Sequence, residues 1–147
     1  MITSSAGYYY VTIISADRDL IFGEVVDGQV RLSEWGRIAD FEWRRLAGRW
    51  PNVNIDEFVI MPNHIHGIIA IHSEPAGAPT AGMVVNKFKG DVTRNIRGFE
   101  RGRIVWQRDY RERVVRDDKE LEAFRDYIRL NPGRWSEDEE YRERRDL

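Results

Sequence analysis

The chain has 147 residues, with 23 Lys and Arg against 25 Asp and Glu, a formal net charge of −2 and no cysteine. This length suits one domain with its own apolar core, and the absence of cysteine excludes thiolate metal sites, thiol nucleophiles and a disulfide framework. No stretch approaches the roughly 20 apolar residues that span a bilayer, and no basic flank precedes an apolar block at the start, so a soluble, cytoplasmic protein without a membrane partner is expected.

Gly7 to Ser15 is aromatic and β-branched throughout and reads as a central strand buried on both faces. Glu24 to Leu32 alternates around Asp27-Gly28, a pair suited to the positive φ angles of a two-residue hairpin turn. Ser33 can cap a helix whose apolar positions (Trp35, Ile38, Ala39, Trp43, Leu46, Ala47, Trp50) recur every three or four residues, and Pro51 stops it. The tryptophan stripe therefore reads as a core face rather than a base-stacking platform.

Val53 to Met61 predicts a strand, Pro62-Asn63 a tight turn and Ile65 to His72 the returning strand, with His64 at or just beyond the turn. Successive strand residues point to opposite faces, so His64 and His66 share one face while Ile65 faces the core. Two neutral imidazoles side by side can hold one divalent ion, although a half-exposed strand with two histidines on its outer face fits the motif as well. His72 keeps the same parity but lies too far along the strand to join them.

Residues 73–82 read as a connecting loop by their small residues and prolines. Met83 to Ile96 predicts an amphipathic helix with a basic outer side, Ile104 to Gln107 a short strand, and Asp117 or Asp118 the cap of a last long helix that ends at Pro132-Gly133. Residues 87–116 carry ten basic side chains against four acidic ones, a segment of the kind that tracks phosphates, while acids concentrate after Ser136. The element order predicts an α+β fold with an antiparallel sheet and helices on one face, in a single domain over residues 1–147. An acidic C-terminal tail occupies 133–147, read as a plain terminal helix with a Ser136 to Glu139 capping box, the alternative being a segment that covers a binding groove.

Tyr127 and Asn131 lie four apart on the last helix, hence on one face. Asn131 offers an amide oxygen that could join His64 and His66 around Mg²⁺ or Mn²⁺. Tyr127 offers an oxygen nucleophile for a phosphodiester, though its ordinary pKa of about 10 calls for assistance.

These residues, in this order, resemble the single-tyrosine HUH transposases, the IS200-like enzymes and particularly their REP-associated tyrosine transposase relatives. The resemblance rests on Phe58 to Gly67 with its His-Ile-His, on Phe88-Lys89, on Trp106 to Tyr110 and on Tyr127 to Pro132, and it spans nearly the whole chain. It implies a ferredoxin-like fold with a C-terminal helix carrying the tyrosine. It also implies metal-dependent cleavage and rejoining of single-stranded DNA hairpins through a 5′-phosphotyrosine link. In those terms Tyr127 is the nucleophile, His64, His66 and Asn131 are the metal ligands, and the protein acts as a monomer or homodimer. Lys87, Lys89, Arg94 and Arg108 are candidates for DNA backbone contacts by region. Asp109, Arg111 and Arg113 depart from the family pattern, which leaves DNA affinity there in question. Two rival readings stay open: a catalytically silent hairpin-binding protein of the same descent, and an RNA-binding domain stacking bases on Tyr8 and Tyr10.

Overall fold

The computed structural model describes residues 7–72 and 79–143. The sheet is built from β1 (Gly7–Ile14), β4 (Val53–Met61), β5 (His64–Ile71) and β6 (Arg111–Val114), all antiparallel, in the order β4-β5-β1-β6. A small hairpin, β2 (Gly23–Val26) and β3 (Gln29–Leu32), stands apart from it. Its turn works as the sequence predicts, with Asp27 at φ 52° and Gly28 at φ 75°.

Helix α1 (Glu34–Arg45) starts where Ser33 Oγ accepts from the Gly36 N–H, and α2 (Ala81–Arg97) where Thr80 Oγ1 accepts from the Met83 N–H. Helix α3 (Asp118–Leu130) starts at Asp117, whose Oδ1 accepts from the Glu120 N–H. With the hairpin set aside, the order β1-α1-β4-β5-α2-β6 is the ferredoxin-like arrangement.

The sheet has two different faces. Val11, Ile13, Ile65, Ile69 and Ile71 point to one side, where Trp43 of α1 and Val84, Phe88 and Val92 of α2 close the main core. Gly67 lies on this side because a Cβ there would run into the Trp43 ring. Tyr10 and Ile68 point to the other side, where Leu121, Phe124 and Ile128 of α3 cover them. Helices on one face therefore describes α1 and α2, while α3 lies over the opposite face, the one that carries the histidines.

Three sequence expectations are corrected. Ile104 to Gln107 is not a strand: it makes one bridge, Ser15 to Trp106, and the sheet is completed by Arg111–Val114. Every residue of that edge strand is exposed, so it lacks the apolar alternation that marks a strand in sequence. The tail is not a plain terminal helix either. Pro132–Glu137 forms a short 3₁₀ turn, after which the chain folds back onto the protein and buries Asp138 and Glu140. Tyr10 is buried and stacks on Phe124 at 4.3 Å between ring centres, so β1 presents no open aromatic platform of the kind an RNA-binding sheet uses. Of the predicted loop 73–82, residues 73–78 lie outside the described residues, and 81–82 already belong to α2.

Candidate active site

Pro62 and Asn63 make the two-residue turn between β4 and β5, which sets Met61 opposite His64 and Val59 opposite His66. Both histidines thereby look toward α3 and are buried. Each is held by its Nδ1. His64 Nδ1 lies 2.8 Å from Asn63 Oδ1, an acceptor only, so this nitrogen carries a proton and Nε2 is turned to the cluster. His66 Nδ1 lies 2.9 Å from the Tyr10 hydroxyl and 3.0 Å from that of Thr12, groups that can serve either tautomer. The two Nε2 atoms converge to 3.1 Å.

A third group enters from the tail. Asp138 Oδ2 lies 3.4 Å from His64 Nε2, and the His64, His66 and Asp138 ligand atoms all fall within 4.8 Å of one another. Asn131, the C-cap of α3, donates from Nδ2 to Asp138 Oδ2 at 2.9 Å, which leaves its own Oδ1 buried without a partner. An imidazole nitrogen facing a carboxylate, beside an orphaned amide oxygen, is a cluster that needs a proton or a cation among its members. Two imidazoles, a carboxylate and an amide suit a divalent ion, so the residues fit the group the sequence implies.

The charge state agrees with this chemistry. Burial, and next the neighbouring His64, push His66 well below its ordinary 6.5, so it stands neutral and able to ligate. Burial raises Asp138, but the hydrogen bond and charge of His64 outweigh it and hold the carboxyl far below its usual range.

Tyr127 reaches this cluster from α3. Its ring meets His66 edge-on at 5.5 Å between centres, and the residue keeps 43% exposure. Burial and the carboxylates of Asp138, Glu139 and Glu140 push its phenol above the ordinary 10.0, against a smaller opposing pull from Arg111. An open groove of about 500 Å³ runs beside it, lined by Tyr10, Thr12, His66, Arg111, Arg113, Phe124 and Tyr127 among others.

The position of α3 is set from β4. The β4–β5 register slips between Ile55 and Phe58, a bulge that turns Asp56 and Glu57 toward the helix. Arg125 clamps Asp56 with bonds of 2.8 and 2.7 Å, and Arg129 donates to Glu57 at 3.0 Å, so ion pairs flank Tyr127 on both sides in sequence. The Arg125 bonds hold the Asp56 carboxyl below its ordinary value.

The structure thus brings His64, His66, Tyr127 and Asn131 together. It adds Asp138, Asn63, Tyr10 and Arg111, which the sequence alone does not place at this site. It places Lys87, Lys89 and Arg94 on α2, the layer across the sheet. Lys87 and Arg94 share Asp91, while Lys89 donates to the carbonyls of Gln107 and Arg108 at 3.0 and 3.3 Å. Arg108 is exposed on the connection after α2. His72 stands apart, bonded to Asn54.

No family model matches the chain. An uncharacterized protein of Haemophilus influenzae is 34% identical over 155 residues, which cover 93% of this chain and 86% of that one. A second protein of the same organism, provisionally named a REP-associated tyrosine transposase, is 24% identical over 136 residues, 88% of this chain and 72% of its own. A solved REP-associated tyrosine transposase, bound to a REP hairpin, superposes with a TM-score of 0.66 at 19% identity, covering 90% of this chain and 69% of that chain. The chain shares its fold with this solved transposase. It combines the ferredoxin-like sheet with a histidine pair on one face and a tyrosine helix laid across that face. Among the described residues no helix is long and apolar enough to cross a membrane.

Proposed function

We propose that this protein is a metal-dependent nuclease and strand transferase that cleaves and rejoins single-stranded DNA at hairpin-forming sequences. The reading is carried by one observation: an accessible tyrosine packed edge-on against a buried histidine pair whose Nε2 atoms converge with a carboxylate. In this reading the Tyr127 oxygen attacks the scissile phosphorus, the 3′ oxygen leaves and takes up a proton, and the 5′ phosphate stays on Tyr127 as a phosphodiester. Attack by the freed 3′-hydroxyl of a second strand reverses the step, so the bond energy is conserved and no external cofactor is consumed.

His64 and His66, with Asn131 and Asp138 beside them, would hold the Mg²⁺ or Mn²⁺. Bound there, the ion would polarise the phosphoryl oxygens and offset their developing charge. Asn63 and the Tyr10–Thr12 pair fix the imidazoles so that Nε2 faces the ion. Burial and, next, the tail carboxylates raise the Tyr127 phenol, so the free protein disfavours the phenolate that attack requires. Lys87, Arg94 and Arg108 are assigned to DNA backbone away from the cut, with Lys89 fixing the connection that carries Arg108.

End-labelled hairpins drawn from repeats beside the gene, incubated with Mn²⁺ or Mg²⁺, test this reading. A covalent protein–DNA band carrying the label 3′ of the cut, absent with chelator or His64→Ala, is the expected result. Hairpins that shift on a native gel yet never cleave would leave the silent binding protein in its place.

A further inference from the structure

Two arginines outside the basic helix stand beside the histidines, and both are turned onto one anion. Arg18, just after β1, donates from Nε to Glu140 Oε1 at 2.6 Å. Arg111, at the start of β6, donates from Nη2 to Glu140 Oε2 at 2.5 Å. Each guanidinium takes one oxygen of the same carboxylate. That carboxylate side chain is 3% exposed, whereas the Arg18 and Arg111 side chains keep 39% and 50%. Glu140 is tied to the histidine turn as well, because its carbonyl accepts from Asn63 Nδ2 at 2.7 Å while Asn63 Oδ1 holds His64.

The backbone around Arg18 is unusual. Asp17 and Arg18 both sit in the left-handed region, at φ 55° and 53°, without being glycine. Such residues cost roughly 1–3 kcal/mol each and persist where surroundings dictate them. Here the turn is held by the Asn63 amide on the Arg18 carbonyl and by the Arg18 side chain on Glu140.

We infer that Arg18 and Arg111 form a subsite for a backbone phosphodiester of the DNA strand being cut, and that the Glu140 carboxylate fills it in the free protein. The inference rests on the reading of the chain as a DNA-cleaving enzyme. A phosphodiester carries the same single negative charge as a carboxylate and likewise presents two free oxygens, so both forks can keep their geometry when one replaces the other. The exchange leaves neither arginine without an anion, and Glu140 regains water as it leaves. Arg111 also borders the groove beside Tyr127, which puts the subsite on the path a strand takes to the nucleophile.

The test measures binding of a fluorescent hairpin with unpaired flanks to the full chain carrying Tyr127→Phe, by anisotropy across a series of NaCl concentrations. Glu140→Gln should tighten binding about tenfold, the scale of a charge-assisted contact. Adding Arg18→Gln and Arg111→Gln to that background should reverse the gain, and should flatten the dependence of log K on log salt by about 0.7 for one phosphate lost. A neutral methylphosphonate at one linkage next to the cut should weaken the Glu140→Gln protein and leave the triple variant unchanged. The subsite is overturned if the arginine substitutions leave affinity and slope as they were and no single linkage distinguishes the proteins. Thermal unfolding checks each fold. Should the glutamine variant not fold, the same linkage scan on Arg18→Gln alone decides. Adduct formation by the wild-type chain is scored separately, so a failed cleavage reading with an intact arginine effect is recognised as such.

Discussion

Asn131 spends its amide nitrogen on Asp138 and leaves its amide oxygen buried with no partner, at the end of the helix that carries Tyr127. A neutral buried acceptor without a donor costs about 1–3 kcal/mol, and a cation is the partner that would satisfy it together with Asp138 and the histidines. Calorimetric titration with Mn²⁺ is expected to give one site, lost in His64→Ala and in His66→Ala. Asp138→Asn should weaken it about tenfold, and an unchanged affinity there would remove Asp138 from the ligand set.

The bulge in β4 gives a second expectation. Asp56→Ala removes both bonds from Arg125 and with them one of the two ties of α3 to β4. A stability loss of about 1–2 kcal/mol in urea unfolding is expected, as for a charged hydrogen bond of partial exposure. Adduct formation should slow by about a hundredfold, because displacement of a reacting group by about an ångström suffices for that. Mn²⁺ affinity should stand. Equal loss of both would mean the helix positions the histidines as well as the tyrosine.

Gly67→Ala tests how tightly the sheet and α1 are packed. The added methyl meets the Trp43 ring, which is fully buried and has no room to turn. Overpacking of this kind costs about 1–3 kcal/mol, read as a shift of the urea midpoint. A silent substitution would show that α1 can slide.

Acid should destabilise the fold in two steps. His66 is depressed below 6.5, so the unfolded chain takes up a proton first, and stability falls as pH drops below about 6.5. Glu140 and Asp138 are depressed below 4.5 and 3.8: burial raises both, and the arginines in one case and His64 in the other outweigh it. Their contribution is present above those values and is lost as pH falls toward the folded ones. Melting temperature against pH should be flat above 7, decline below 6.5 and decline again below about 4.5. Glu140→Gln should reduce the second decline and spare the first.

Much of this was legible in the sequence, and the remainder was hidden for physical reasons. The two-residue period placed His64 and His66 on one face, and the helical period placed Tyr127 above Asn131, because both depend only on local geometry. Asp117, Ser33 and Asp27-Gly28 act where their side chains or backbone preferences require. Asp138 and Glu140 were invisible as site residues, since an acidic run after a helix has the composition of a solvated tail and only the return of the chain buries it. Arg111 and Arg113 sit on an edge strand with no apolar face to announce it. The bulge at Asp56 and Glu57 exists only in the register between two strands. The layer of α3 is likewise tertiary: its apolar stripe fits either sheet face, and the core already filled by α1 and α2 leaves it the histidine side.

The central claim is that Tyr127 attacks DNA beside the histidine pair, and the most direct test is to locate the covalent bond. The adduct formed with Mn²⁺ and a single-stranded hairpin should be digested with nuclease and trypsin and sequenced by mass spectrometry. The account predicts a nucleotide phosphate on the peptide Asp126–Arg129, attached at Tyr127, and no adduct in the Tyr127→Phe protein, which should melt like the parent. A phosphate found on Tyr10, Tyr110 or any other residue, or an adduct that survives Tyr127→Phe, would contradict it.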